Sequence, residues 1–180
     1  WFEHVGNEVR HTAAHAGLLD MSAFAKCRVS GPGAEAFMDR LVANKLPKGI
    51  GRVSLSHALT ERGGVHSEYT IQREAADSFY IVSAGAGQRL DHDWIKKHMP
   101  DDGSVRFDDL TNSIGVLVLA GPHARDILQK VTRSDLANGA FPWLSSKMID
   151  VNLSPTMAFR MNYVGELGWE LHHPIEYQNH

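Results

Sequence analysis

Two stretches, one in each half of the chain, read alike, and their likeness limits the available folds more than any other feature. "VSGPGAEAFMDRL" (29–41) and "LAGPHARDILQKV" (119–131) each pass from apolar strand residues through Gly-Pro into an amphipathic helix. Gly31 and Gly121 permit a tight strand-to-helix turn, and Pro32 and Pro122 suit a first helical turn, where a missing N–H does no harm. Gly-Pro is also a common way to begin a helix, so coincidence and a duplicated β-α-β-β unit both stand as readings. Either gives an α+β class, because strands outnumber helices and regular βαβ alternation is missing.

The rest of the chain fills in that outline. Val5, Val9 and Ala13 recur at helical spacing in "EHVGNEVRHTAAHAGLLD", with Gly17 as the residue after the helix. "AFAKCRVSG", "SFYIVSAG" and "IGVLVLAG" read as strands, the last as a central one. "GRVSLSHALTERGGVHSEYTIQRE" is the clearest hairpin, alternating on both sides of Gly63–Gly64. Leu90, Trp94, Ile95 and Met99 predict a helix, and "SKMIDVNLSPTMAFRMNYVGELGWELHHP" predicts three strands with turns. With no Pro-, Gly- or Ser-rich linker, residues 1–180 are expected to form one domain, in which two halves could repeat.

Composition narrows the function. At 180 residues, with 43% hydrophobic and 22% charged content, the chain can bury a real core. A net charge of −3 without a basic run argues against nucleic-acid and membrane-surface partners. One cysteine, Cys27, excludes an internal disulfide and fits a reducing compartment, expected to be the cytoplasm or, in a eukaryote, the mitochondrial matrix. No apolar run approaches the roughly 20 residues of a membrane span. The chain starts at Trp1 without a signal peptide, so its native N-terminus is expected to lie upstream.

Several kinds of chemistry lack support. "SAGAGQR" has neither G-x-G-x-x-G nor a Walker lysine. Among eleven histidines, His11/His15 and His172/His173 are spaced like ligand pairs, yet no third or fourth ligand accompanies them, and no metal is expected. "AGPHA" and "HSE" juxtapose nucleophile and base types outside any nucleophile elbow. Carboxylates lead instead. Glu68 follows the Gly63–Gly64 turn, where it is either functional or a solvent-facing strand residue. In "NYVGELGWELHHP", Tyr163, Trp169 and Leu171 call for burial, while Glu166 and Glu170 are costly to bury without hydrogen-bond donors. Each acid lies near a glycine, where backbone can approach a ligand.

Taken together, "YVGELGWELHHP", "ALTERGGVHSEYTIQRE", "VLVLAGPHARDILQKV", "DLANGAFPW" and "AAHAGLLDMSAFAKCRVSGPGAEAF" resemble the folate-binding, aminomethyltransferase-type (T-protein-like) domain. The version fused to a flavin oxidase module in sarcosine and dimethylglycine dehydrogenases is the more similar, because the glycine cleavage enzyme has a shorter, more acidic turn at "VGELGWEL". The resemblance runs over essentially the whole chain. It implies an α+β fold of ferredoxin-like β-α-β-β units, with antiparallel or mixed sheets and flanking helices.

It also implies a tetrahydrofolate site. The family glutamate that accepts the pterin's paired N–H donors falls on Glu170, and the tyrosine that opens the motif falls on Tyr163. The catalytic acid, usually aspartate, falls on Glu68, one methylene longer. A pocket methionine corresponds to Phe24, a strand tyrosine to Tyr80, and an asparagine to Ala84, where its contact is lost. Glu166 is expected to be solvated. The implied reaction captures a one-carbon unit from an N-methyl amine-derived iminium as 5,10-methylene-tetrahydrofolate. FAD would belong to a flavin oxidase module or subunit outside this chain. The family domain continues past His180, so the chain is expected to be incomplete at its C-terminus. Two alternatives stay open: a stand-alone aminomethyltransferase or related folate-dependent demethylase, and a folate-binding regulatory module without catalysis. Glu68 favours retained chemistry, and truncation favours the module.

Overall fold

The computed structural model describes residues 1–163 and 165–180. The chain divides into two compact units, Ala23–Asn112 and a second made of Trp1–Ser22 with Ser113–His180.

The Ala23–Asn112 unit contains β2 (Ala25–Ser30), α2 (Ala34–Leu41), β3 (Val53–Leu59), β4 (Val65–Ala75), β5 (Ser78–Ser83), α3 (Gln88–His98) and β6 (Arg106–Asp109). Its sheet runs β3-β4-β5-β2-β6, and every pairing is antiparallel. Without the edge strand β3, this is the order of a ferredoxin-like β-α-β-β-α-β unit. Period-2 alternation sends Cys27, Val29, Tyr69, Ile71, Phe79 and Ile81 to one face, where Phe37 and Met38 of α2 and Ile95 of α3 complete the core.

The other unit contains α1 (Phe2–Ala14), β1 (Gly17–Asp20), β7 (Ile114–Ala120), α4 (Ala124–Gln129), β8 (Ser146–Val151), β9 (Ser154–Phe159) and β10 (Gly168–Pro174). Its sheet, β1-β7-β10-β9-β8, is also wholly antiparallel. Leu119, Ala158, Trp169 and Leu171 pack on Ala124 and Leu128 of α4 and on Phe141.

The two orders superimpose term by term, β6-β2-β5-β4-β3 on β1-β7-β10-β9-β8. The hydrogen bonds of the turn repeat as well. Gly31 N–H donates to Asp77 O at 2.9 Å and Gly121 N–H to Leu167 O at 2.8 Å; Ala34 N–H returns to Gly31 O and Ala124 N–H to Gly121 O. Both glycines have positive φ, +116° and +124°. The Gly-Pro echo therefore marks a structural repeat and not a coincidence.

Four expectations change. Gly17 begins β1, and α1 is capped at His15. The α1 stripe of Val5 and Val9 is exposed rather than packed. Pro32 and Pro122 lie in the turns before their helices instead of in the first helical turn. On α3 the buried face carries Asp91, His92 and Ile95, while Leu90 is 58% exposed. Asp91 can turn inward because Ser67 Oγ donates to its Oδ1.

Candidate functional site

Strand β10 sorts its residues by parity. Trp169 and Leu171 enter the core beneath α4, so Glu170 and His172 occupy the opposite face of the sheet. Glu170 is only 7% exposed. Among the described residues its carboxylate has one hydrogen-bond partner, His172 Nε2 at 3.3 Å. A carboxylate taken this far out of water needs several donors, and one long contact leaves much of its acceptor capacity unused. The His172 ring lies over Phe159, 4.5 Å between centroids, and Phe159 is the residue opposite Glu170 on β9. Glu166 is exposed, as expected. Tyr163 reverses the expectation of burial: it is 91% exposed in the loop before β10. The next residue, Val164, lies outside the described residues.

Glu68 lies on β4, directly opposite His57 of β3, and its Oε2 is 3.1 Å from His57 Nε2. Its side chain is 57% exposed, the situation of an outward strand residue with one cross-strand partner. The ladder shifts between Ala58↔Ser67 and Leu59↔Val65, which leaves His66 as a bulge. The bulge turns His66 onto Trp94, with ring centroids 3.9 Å apart, and Ser67 is tied to Asp91. The backbone leading into Glu68 is thereby fastened to α3.

Tyr80 is buried on the face of the sheet opposite the core, the face that also carries Glu68, Gln72 and Lys26. Tyr80 pairs in register with Gln72, four residues from Glu68, about 13 Å along the strand. The two share a face without touching. Phe24 is half-buried just before β2, where the backbone of residues 84–87 packs tightly: a Cβ on Gly85 would run into Ala23 O. Glu68, Tyr80 and Phe24 thus belong to one unit, and Glu170 and Tyr163 to the other. The repeat relates the two sets. Tyr80 pairs with Arg28, three residues before Gly31, and Glu170 pairs with Val118, three before Gly121. They occupy the same position of the duplicated unit, each facing away from its core.

Of three further residues on these faces, His57 and Lys26 were not singled out from the sequence, and His172 only as half of the tandem pair His172/His173. Counting back from Glu68 across the Gly63–Gly64 turn reaches Leu59, whereas the actual register, with its bulge at His66, makes His57 the partner. His172 is two residues from Glu170 on one strand, so parity alone puts them side by side. Lys26, fully buried on β2, alternates with the core residues Ala25 and Cys27. The glycine beside Glu170 has another use than ligand approach: a Cβ on Gly168 would lie 2.6 Å from Leu119 O.

Among the described residues no group of three or more His, Cys, Asp or Glu side chains is placed to hold a metal ion. The rings of His11 and His15 lie 4.8 Å apart, tilted by 39°. His173, turned away from its tandem neighbour, bonds Gln178 Oε1 at 2.8 Å.

A ferredoxin-like unit used twice, with the buried Glu170 carboxylate on the face away from the helices, gives an α+β architecture of two related halves. The GCVT N-terminal domain family matches residues 1–180, and the chain belongs to that family. It is 37% identical over 177 residues to the mitochondrial dimethylglycine dehydrogenase of Mus musculus, covering 98% of this chain and 20% of that protein. It is 32% identical over 175 residues to the mitochondrial sarcosine dehydrogenase of Homo sapiens, covering 88% of this chain and 19% of that one. The chain thus spans about a fifth of the length of these relatives. The solved structure of the glycine cleavage system aminomethyltransferase T from Bartonella henselae superposes with a TM-score of 0.82 at 25% identity, over 96% of this chain and 46% of that one.

Proposed function

We propose that residues 1–180 act as one tetrahydrofolate-binding domain that transfers a one-carbon unit from an oxidised N-methyl amine of the sarcosine or dimethylglycine type, forming 5,10-methylene-tetrahydrofolate. The observation that carries this reading is the buried Glu170 carboxylate with, among the described residues, a single partner at 3.3 Å. The edge of a reduced pterin presents an exocyclic amine and a ring N–H side by side. Glu170 can accept both in a charge-assisted fork, and such a pair would satisfy the acceptor capacity that the protein leaves open. The chemistry of the site fits the ligand.

In this reading Glu170 fixes the position and plane of the pterin. Tyr163, exposed beside β10, closes over the ligand and exchanges a wet aromatic surface for a packed one. Phe24 and Tyr80 are assigned as further folate-contacting side chains. Glu68, 3.1 Å from His57, would take up one of the two protons that the folate nitrogens shed on capturing the iminium carbon, and the demethylated amine would leave that carbon carrying the other. Excluding water around that step keeps the iminium from hydrolysing to formaldehyde. FAD, held by a flavin oxidase module or subunit outside this chain, supplies the oxidation of the amine. The names of the mouse and human relatives support a mitochondrial compartment in a eukaryote. No helix among the described residues is long and apolar enough to cross a membrane.

Calorimetric titration of the intact protein with tetrahydrofolate tests the anchor. Glu170→Ala removes two charge-assisted bonds and leaves the ligand's donors unpaired, so binding weakens by about 2–4 kcal/mol. An unchanged affinity in a folded variant overturns the assignment.

A further inference from the structure

We infer that His172 is a positioning residue of this site: its imidazole, held against Phe159, sets the orientation in which Glu170 presents its carboxylate. The inference rests on Glu170 being the pterin anchor and adds a residue that neither the family match nor the relatives' names assign.

Two-donor recognition needs more than a negative charge. Both carboxylate oxygens must lie in the plane of the pterin edge, and a glutamate has three side-chain torsions to fix before that plane exists. The sheet fixes the backbone of Glu170 through β7 on one side and β9 on the other. The carboxylate end is held, among the described residues, by His172 alone, from two positions along the same face. His172 is itself constrained. It is 2% exposed, its ring is tilted 31° to that of Phe159 at 4.5 Å, and Phe159 stands opposite Glu170 in the ladder. Phe159 holds the ring, and the ring holds the carboxylate.

The proton inventory agrees. An ionised carboxylate only accepts, so the contact requires the hydrogen of His172 on Nε2. That bond occupies one lone pair of Oε2. A second lone pair remains there and both remain on Oε1, enough for a ligand fork. A tighter clamp would compete with the ligand; at 3.3 Å the imidazole orients without saturating.

The test is a double-mutant cycle read by tetrahydrofolate titration of the intact protein, with urea unfolding of each variant alongside. His172→Phe keeps the stack on Phe159 and loses the donor, and affinity falls about tenfold while the unfolding midpoint holds. His172→Gln restores a donor and keeps affinity within about threefold of wild type. In a Glu170→Gln background, adding His172→Phe changes affinity less than about twofold, because no carboxylate is left to orient. A wild-type affinity for His172→Phe overturns the inference, as does a tenfold loss that persists beside Glu170→Gln. If Glu170→Gln alone binds like wild type, the anchor assignment fails first and takes His172 with it. Should His172→Phe not fold, the side-chain ¹⁵N resonance of His172 in the wild-type protein decides: it shifts in Glu170→Gln and on adding tetrahydrofolate, and a resonance unmoved by either overturns the role.

Discussion

At His92, burial and a neighbouring charge pull in opposite directions. The ring is 6% exposed on α3, edge-on to Phe107 at 5.1 Å, and its Nδ1 is 3.6 Å from Asp109 Oδ2. Burial is the larger influence and pushes its pKa below the ordinary 6.5, against the pull of Asp109; Lys96 pushes the same way as burial. The unfolded chain therefore binds this proton more readily than the folded one. Stability due to neutral His92 is full above about pH 6.5 and is lost as pH falls below that value toward the lower folded pKa. Between pH 7.5 and 5.5 the urea midpoint of the wild type should accordingly drop more than that of His92→Gln, which has no proton to gain; equal drops would discard the argument. The same scale shows where side chains could be read from the sequence. Glu170 was reached through the family resemblance, and along β10 it alternates with Trp169 and Leu171, because a strand fixes facing residue by residue. Tyr163 sits in the loop before β10, where no periodicity applies, and it faces water. On α3 the rows Leu90–Trp94 and Asp91–Ile95 differ by about 100° of rotation. Hydropathy alone favours the first row, and only Ser67, far away in sequence on β4, makes the second the inward one.

Elements were legible where pattern and punctuation agreed. The hairpin β3–β4, the strand β7 and the two Gly-Pro turns follow from alternation and from residues with fixed backbone preferences. The strands β1 and β6 did not follow. Each has four residues, "GLLD" and "RFDD", too short for alternation to register, and each is an edge strand that exists because β7 or β2 offers it hydrogen bonds. Both sit beside the repeated turn, and this gives the glycines their weight. At Gly121 a Cβ would lie 2.6 Å from His15 O, and at Gly31 it would lie 2.5 Å from Ser104 O, just ahead of the edge strand in each case. His123 N–H donates to His15 O and Gly33 N–H to Ser104 O, so these carbonyls cannot retreat without breaking the turn. Gly121→Ala combines a positive φ of +124° with that clash and should cost about 2–4 kcal/mol in urea unfolding of the intact protein. Gly31→Ala should cost a similar amount. Gly139, whose Cβ would meet nothing within 4 Å, is the control. A Gly121→Ala cost matching that of Gly139→Ala would mean that the turn relaxes freely and that the repeat places no demand on glycine.

For the whole molecule, the sequence showed the class and offered the repeat as one of two readings, but not that Trp1–Ser22 belongs with Ser113–His180, which depends on β1 pairing with the sequence-distant β7. Nor could it show that Glu68 and Glu170 belong to different units. Glu170 is proposed to anchor the pterin and Glu68 to take up the proton, so the two carboxylates should fail in different ways. Glu68→Gln preserves shape and some hydrogen bonding to His57 while removing the base. In the intact protein, tetrahydrofolate affinity should then stay within a few-fold of wild type, because the recognition edge of the ligand meets Glu170 instead. The yield of methylene-tetrahydrofolate per amine consumed should drop roughly 10²-fold, the scale of a lost general base. Amine oxidation, which the proposal assigns to a flavin module outside this chain, should continue, and the uncaptured carbon should emerge as formaldehyde. One reaction assayed for amine consumed, formaldehyde released and methylene-tetrahydrofolate formed separates these outcomes. A wild-type methylene-tetrahydrofolate fraction in Glu68→Gln would reduce Glu68 to what its exposure already suggests, an outward strand residue paired with His57.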